Sequence, residues 1–128
     1  MHADGVGDQN RLSERVIGCA FRVINTLRVG FLETAYENAL AHELRKAGLA
    51  VAQQHGISVR YDSVIVGEYS VDLLVESTII FELKSLNTLN GAHIAQCLNY
   101  LKATGLPLCL LLNFGKPRLE IQRFAHSR

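Results

Sequence analysis

The chain has 128 residues, of which 48% are hydrophobic and 20% are charged, and it contains only two prolines. This composition is typical of one packed domain and excludes a disordered, collagen-like or low-complexity chain. The formal net charge of +1 excludes a polycation that binds nucleic acid through bulk charge alone.

The spacing of apolar residues predicts two helices followed by a series of short strands. Apolar positions recur every three or four residues over 12–27 and again over 31–47, and Gly48 is suited to end the second helix. Beyond Gly48, short segments rich in β-branched residues alternate with turns such as His55-Gly56 and Asp62-Ser63. The predicted strands are 51–54, 57–61, 63–66, 68–75 and 79–83.

The rest of the chain predicts one more helix and two more strands. Helical spacing returns over 88–104 and stops at Gly105 and Pro107. A continuous apolar run over 108–113 indicates a strand buried on both faces, and alternation over 118–124 predicts a final strand. The order α-α-β-β-β-α-β-β indicates an α/β fold with a central mixed sheet flanked by helices.

Cysteine spacing and the absence of long apolar runs predict the cellular compartment of the protein. Cys19, Cys97 and Cys109 form no CxxC pair, so we expect small buried thiols in a reducing compartment. No run of about 18 apolar residues and no apolar leader occurs in the sequence. We expect one cytoplasmic domain over residues 1–128, with residues 1–10 flexible and no membrane partner.

Charge is unevenly distributed along the chain. Residues 1–83 contain seven basic and eleven acidic residues, a balance of −4. Residues 84–128 contain six basic residues and one acid, Glu120, a balance of +5. A fold that brings an acidic cluster of the first part against a basic surface of the second could hold a divalent metal beside a phosphate.

Two carboxylates are expected to face each other across a predicted hairpin. A three-residue loop over 76–78 pairs Val75 with Ile79 and places Asp72 opposite Glu82. The same alternation places Val71 on the other face of its strand, together with Leu73 and Val75.

The repulsion between Asp72 and Glu82 calls for compensation. A divalent cation such as Mg²⁺ or Mn²⁺ takes oxygen ligands from a few carboxylates and keeps waters for a substrate. Lys84, on the same face as Glu82, could hold a water nucleophile or neutralise charge on a phosphate. The alternative is a solvated strand pair in which Lys84 bridges Asp72 and Glu82.

The basic residues of the C-terminal part are candidates for a surface that contacts phosphates without reading sequence. They are Lys102, Lys116, Arg118, Arg123 and Arg128. The alternative is an ordinary solvated surface. We find no base-reading helix, zinc finger or stacking-aromatic motif in the sequence.

Five motifs occur in a fixed order along most of the chain: GFLETAY over 30–36, GEYSVDLLVE over 67–76, FELKS over 81–85, AQCLNYLKATG over 95–105 and LLNFG over 111–115. Together they resemble the GxxExxY proteins, a small bacterial and archaeal family of the PD-(D/E)XK nuclease superfamily. The resemblance covers about residues 14–124 and implies a restriction-endonuclease-like core.

This resemblance also implies roles for individual residues. Asp72 corresponds to the superfamily's first strand acid, and Glu82 and Lys84 correspond to its ExK pair. Glu33 corresponds to a helix-borne acid directed at the metal, and Gln96 to a polar residue of the following helix beside the site.

Two further positions leave alternatives open. Tyr36 shares a helix face with Glu33 and could contact a phosphate, a base or a metal-bound water, or it could be a core-edge aromatic with a satisfied hydroxyl. Arg22 and Ile24 replace an acid and a histidine that are usual in the first helix of the family. They weaken the enzyme if those positions assist the site, and change nothing if they lie on the surface.

The sequence therefore predicts a metal-dependent nuclease that acts on DNA or RNA. Mg²⁺ or Mn²⁺ would be held by Asp72, Glu82 and Glu33, while Lys84 would orient the attacking water. The alternatives are a nuclease-fold protein with little turnover that binds nucleic acid or another protein, and a purely structural subunit. A homodimer is compatible with all three.

Overall fold

A computed structural model of the protein describes residues 5–126. It contains three helices and five strands in the predicted order: α1 Gly5–Leu27, α2 Glu33–Lys46, β1 Val51–Tyr61, β2 Val64–Val75, β3 Ile79–Lys84, α3 Gly91–Thr104, β4 Leu108–Asn113 and β5 Glu120–Ala125. Helix α1 begins at Gly5, and residues 1–4 lie outside the described residues. The expected flexibility of residues 1–10 stays a prediction.

The five strands form one mixed sheet in the order β1-β2-β3-β4-β5. All neighbours are antiparallel except β3 and β4, which are parallel and are joined by α3 as the crossover. A parallel pair needs such a crossover because its strands start at the same end of the sheet. The mixed sheet and its flanking helices confirm the predicted fold class.

Helices cover both faces of the sheet and create two hydrophobic clusters. Helices α1 and α2 pack with Phe81, Leu83 and Phe114 on one face, and we call this the α1/α2 cluster. Helix α3 packs with Val71, Ile80 and neighbouring residues on the other face, and we call this the α3 cluster. All six residues of β4 are buried, as its continuous apolar run predicted. Among residues 5–126, no helix is long and apolar enough to cross a membrane.

The predicted short strands between Gly48 and Glu76 are wrong, because they merge into one long hairpin. Strand β1 has 11 residues and β2 has 12, and pairing continues through the expected turn at His55-Gly56. Continuous cross-strand pairing overrides the weak turn preference of a single glycine. The turn falls at Asp62-Ser63, where both residues have a left-handed φ.

A tightly packed segment follows β3 and leads into α3. The buried Asn113 side chain accepts hydrogen bonds from Leu86 N and Gly115 N and donates to Leu86 O and Glu120 Oε1. All of its amide hydrogen-bonding groups are therefore used, as a buried polar side chain requires. Phe114 N donates to Lys84 O at 2.7 Å, so the end of β3 is also attached to this loop.

Gly115 is needed for this close approach. A Cβ at this position would lie 2.3 Å from both N and O of Leu86. We therefore expect Gly115→Ala to lower the free energy of unfolding by about 2 kcal/mol, in the range of overpacking substitutions. Chemical denaturation would measure the change.

The matched control is Gly18→Ala, on the exposed side of α1, where an added Cβ meets no atom within 4 Å. Alanine favours the helix, so this variant should gain about 0.5–1 kcal/mol. Equal stability of the two variants would contradict the proposed packing of Gly115 on Leu86.

Candidate active site

Asp72 and Glu82 meet where the backbone pairing of β2 and β3 ends. The pairs Val75 with Ile79 and Leu73 with Phe81 confirm the predicted hairpin register. Beyond Leu73, side chains replace the backbone ladder. Asp72 N donates to Glu82 Oε2 at 2.7 Å, and Leu83 N donates to Asp72 Oδ2 at 2.8 Å. Each carboxylate therefore accepts a backbone N–H from the opposite strand.

The strand alternation predicted around Asp72 is wrong at Val71. Leu73 and Val75 belong to the α1/α2 cluster, as expected, but Val71 belongs to the α3 cluster on the other face. Residues two apart in a regular strand share a face. The backbone of β2 is therefore irregular at Asp72, between Val71 and Leu73.

The partner strand carries the matching irregularity. In the β1–β2 ladder, Gln53 pairs with Leu73 and His55 with Val71, but no pair joins Gln54 to Asp72. Gln54 has a φ of 50°, in the left-handed region that non-glycine residues seldom adopt. The distortion explains how the Asp72 carboxylate accepts the N–H of a β3 residue.

Glu82 is a buried carboxylate beside another acid. Only 3% of its surface is exposed. Burial and the charge of Asp72 raise its pKa to about 8, while the hydrogen bond from Asp72 N and the charge of Lys84 act in the opposite direction. Among residues 5–126, no hydrogen-bond donor reaches its second oxygen, Oε1. This oxygen is a buried acceptor that a cation could satisfy.

Lys84 is the last residue of β3, two positions beyond Glu82, and is half-buried. Within the described part of the chain, its ammonium group forms no salt bridge with an acid. The alternative in which Lys84 bridges Asp72 and Glu82 is therefore not observed. Its charge still acts on Glu82, so the ammonium group lies in the same neighbourhood.

Glu33 lies at the N-terminus of α2, near the end of β3. Its Oε2 accepts from Ser85 N at 3.4 Å, and Ser85 Oγ donates to Phe31 O at 3.2 Å. The structure thus places Glu33 beside the residue that follows Lys84. It forms no hydrogen bond to Asp72 or Glu82 among the described residues.

Sequence reasoning missed Glu37, the next acid on α2. Glu37 is 8% exposed and accepts from Gln53 Nε2 at 2.9 Å and from Gln54 Nε2 at 2.7 Å. Gln54 Nε2 also donates to Asp72 Oδ1 at 3.1 Å. The signal was available, because Glu37 follows Glu33 by four residues and so lies on the same helix face.

Helix α3 contributes Gln96 and Tyr100. Gln96 Nε2 donates to Tyr100 Oη at 3.0 Å, and Tyr100 Oη donates to Ser70 O at 3.5 Å. Burial, then the charges of Glu82 and Asp72, raise the pKa of Tyr100 to about 12. Tyr100 therefore lies close to the carboxylates and was not predicted. Its spacing of four residues from Gln96 is the signal that could have identified it.

Tyr36 occupies the second of its two predicted roles. Its side chain is fully buried, donates from Oη to Arg28 O at 2.6 Å, and accepts from Phe31 N at 3.2 Å. The ring stacks on Phe114 with a centroid distance of 4.9 Å. No surface of Tyr36 is free for a substrate. The hydroxyl instead fixes the loop that leads to Glu33.

The two unusual positions of the first helix have structural roles. Arg22 forms an ion pair with Glu43 of α2 at 3.0 Å and lies on the surface. Hydrogen bonds from Arg22 and Lys46 lower the pKa of Glu43. Ile24 is 3% exposed and belongs to the α1/α2 cluster. Neither residue forms a hydrogen bond or ion pair with Asp72 or Glu82 within residues 5–126.

The structure does not connect the predicted phosphate contacts to the carboxylates. Lys116 pairs with Glu120 at 3.6 Å, and Lys102 and Arg118 are exposed. Across residues 5–126, none of the three basic residues bonds to Asp72, Glu82 or Lys84. Their role as substrate contacts stays a prediction.

Asp72 and Glu82 fit a divalent cation as a pair. In the described part of the chain, no three His, Cys, Asp or Glu side chains are grouped around a common point. Glu33 therefore does not complete a three-carboxylate cluster in this conformation. The pair supplies hard oxygen ligands, and a cation would satisfy the buried Oε1 of Glu82 and offset its repulsion from Asp72.

Comparison with known proteins identifies the superfamily of the chain. A family model of the PD-(D/E)XK nuclease superfamily matches residues 10–124. The chain belongs to this superfamily. No curated protein matches its sequence significantly.

Solved structures share the fold. The chain is similar to an alkaline exonuclease, LHK-Exo, from Laribacter hongkongensis, with 17% identity and a TM-score of 0.54, covering 99% of this chain and 73% of the other. The same enzyme in complex with dAMP gives 17% identity and a TM-score of 0.56, with coverages of 93% and 69%. The protein SSO0001 gives 16% identity and a TM-score of 0.56, and the match spans 74% of this chain and half of SSO0001. At such identities the likeness concerns the fold.

The buried Glu82 predicts a pH dependence of stability in the metal-free protein. Because the pKa of Glu82 is raised to about 8, the folded protein keeps this proton at pH values where the unfolded chain has lost it. The contribution to the free energy of unfolding is complete below about pH 4.5 and is lost as the pH rises through about 8.

Denaturation of wild type and Glu82→Gln between pH 4 and about pH 9 would measure this contribution. The variant should gain stability relative to wild type as the pH rises. Glu68→Gln is the matched control, since it removes one exposed carboxylate from β2. A constant difference between Glu82→Gln and wild type across this range would contradict the buried, charge-coupled environment of Glu82.

Proposed function

We propose that the protein is a metal-dependent nuclease that hydrolyses phosphodiester bonds of DNA or RNA. The observation that carries the proposal is the pair of Asp72 and Glu82, in which each carboxylate accepts a backbone N–H of the opposite strand. Lys84 lies two residues beyond Glu82 on the same strand. Superfamily membership supports the same reaction class. The motif order further favours a place among the GxxExxY proteins.

Asp72 and Glu82 are the residues that would hold Mg²⁺ or Mn²⁺, with Glu33 or Glu37 assisting from α2. Such an ion lowers the pKa of a bound water and offsets charge on the scissile phosphate. The carboxylates of Asp72 and Glu82 each accept a hydrogen bond from a backbone N–H of the opposite strand, and these bonds restrict their orientation. This anchoring favours a preorganised site.

Lys84 would act on the water or the phosphate. Its ammonium group has no acidic partner among the described residues, so it is available to a developing negative charge. Phe114 N and the loop around Asn113 hold the backbone that carries it. The backbone from which the Lys84 side chain extends is therefore fixed at the end of β3.

The substrate class is supported by the fold neighbours and by charge. One neighbour is called an alkaline exonuclease, and one of its structures contains dAMP. The balance of +5 over residues 84–128 favours a polyanionic partner. We propose sequence-independent contacts to the backbone of the nucleic acid, with Lys102, Lys116 and Arg118 as candidate phosphate contacts. A homodimer stays a prediction.

Cleavage of labelled single-stranded, duplex and branched substrates with Mg²⁺ or Mn²⁺ tests the reaction. We expect Asp72→Asn, Glu82→Gln and Lys84→Met each to lower cleavage by at least about 100-fold. The first two replace a carboxylate that would hold the metal, and the third removes the positive charge that would act on the water or the phosphate. Lys46→Met is the matched control, since Lys46 lies at the far end of α2 and pairs with Glu43. Full activity in all folded site variants would overturn the proposal.

Titration calorimetry with Mn²⁺ distinguishes the proposed enzyme from a nuclease-fold binding protein that does not bind a metal ion. Wild type should bind Mn²⁺, and Asp72→Ala should abolish binding because a main ligand is lost. The control Glu68→Ala should bind like wild type. Nucleic-acid binding without Mn²⁺ binding or cleavage would favour the alternative function, a nuclease-fold binding module.

A further inference from the structure

Gln54 is the residue through which three elements meet at the carboxylate pair. Its Nε2 donates to Asp72 Oδ1 at 3.1 Å and to Glu37 Oε1 at 2.7 Å. Its Oε1 accepts from Ser70 Oγ at 3.0 Å. One amide side chain from β1 thus contacts α2 and two residues of β2.

The two carboxylates decide which way the amide points. Because carboxylate oxygens accept and do not donate, Nε2 faces Asp72 and Glu37, and Oε1 is left to accept from the Ser70 hydroxyl. Both amide hydrogens are then used, one on each carboxylate. The amide therefore links two acids that would otherwise repel each other.

The backbone of Gln54 is distorted at the same point. Its φ of 50° is unfavourable for a residue with a side chain, and the β1–β2 ladder lacks a pair at Gln54 and Asp72. Strain of this kind persists where surrounding contacts hold it in place. In this chain those contacts are the hydrogen bonds of the Gln54 amide to Asp72, Glu37 and Ser70.

We propose that Gln54 is the positioning residue of the carboxylate pair. Its amide holds Asp72 Oδ1, so that Asp72 Oδ2 stays on Leu83 N, and it couples Asp72 to Glu37 on α2. The part of this inference that concerns metal binding rests on the proposed function. Partners that orient a metal ligand typically change metal affinity by 10- to 100-fold when they are removed.

Gln53 provides a matched control on the adjacent position. Gln53 Nε2 also donates to Glu37, at 2.9 Å, and to Asn38 Oδ1 at 2.8 Å, but it does not contact Asp72. Gln53→Ala and Gln54→Ala each remove one donor to Glu37. Only Gln54→Ala removes the donor to Asp72, so the comparison isolates that contact.

Two further variants separate the amide from the backbone. Gln54→Gly accepts the left-handed φ but lacks the amide, so it should behave like Gln54→Ala if the amide matters. Ser70→Ala removes the hydroxyl that donates to the amide oxygen and should give a smaller change in the same direction. Gln54 and Ser70 are exposed, so all of these variants should fold.

The experiment measures Mn²⁺ affinity by calorimetry and, in the metal-free protein, hydrogen exchange of the Leu83 amide by NMR. The expected result is about tenfold weaker Mn²⁺ binding in Gln54→Ala and Gln54→Gly, with Gln53→Ala near wild type. Leu83 N should exchange faster in the two Gln54 variants, less so in Ser70→Ala, and as in wild type in Gln53→Ala, since its acceptor is less well held when the Gln54 amide is lost or disturbed. Mn²⁺ affinities within twofold of wild type in both would overturn the proposal.

The two readouts distinguish this inference from the proposed function. If wild type binds no Mn²⁺, the proposed metal site fails, and the Leu83 amide decides the positioning role alone. Faster exchange in the Gln54 variants then supports that role, and unchanged exchange overturns it. Equal faster exchange in Gln53→Ala also overturns it, because the effect would then not depend on contact with Asp72.

Discussion

The site depends on placing two carboxyl groups side by side between β2 and β3, with Glu82 buried and Asp72 half-buried. A regular antiparallel ladder would have continued past Leu73 and Phe81 with backbone hydrogen bonds. Instead, the Glu82 carboxylate accepts a hydrogen bond from the backbone N–H of Asp72, and the Asp72 carboxylate accepts one from the backbone N–H of Leu83. Those N–H groups remain satisfied, so the sheet tolerates the interruption. The remaining cost is the desolvation of Glu82, which raises the affinity of its carboxylate for a proton.

Two neighbouring loops hold the C-terminal end of β3, the strand that carries Glu82 and Lys84. On one side, the Tyr36 hydroxyl fixes the loop before α2, which brings Glu33 to Ser85 at the end of β3. On another side, Asn113 and Gly115 hold the segment that follows Lys84. Glu33 thus contacts the residue that follows the ExK strand. Tyr36 supports this contact indirectly, through its hydrogen bonds to the backbone of the loop before α2.

A chain of polar contacts lines the pair from α3 to α2. It runs from Gln96 to Tyr100, then through Ser70 and Gln54 to Asp72 and Glu37. Each link joins residues of the same helix, adjacent strands or packed elements. The arrangement connects side chains that are far apart in sequence to the Asp72 carboxylate, and such connections favour a preorganised site.

Much of the architecture could be read from local patterns. The helical spacing in the first half of the chain, the apolar run of β4 and the three-residue loop before Ile79 fixed the element order and the register of β2 on β3. Turn propensity failed at Gly56, because a long hairpin pairs through it. The strict alternation rule failed at Val71, since it assumes a regular strand and Gln54 distorts the neighbouring one.

By itself, the sequence determined the fold class and the facing pair of Asp72 and Glu82, because periodicity and a short loop are local properties. Only the tertiary structure decided that Tyr36 is buried, that Arg22 pairs with Glu43, and that Glu37, Gln54 and Tyr100 lie around the carboxylates. These relations join residues on different elements. They depend on how the helices pack on a distorted sheet, which no spacing along one segment can specify.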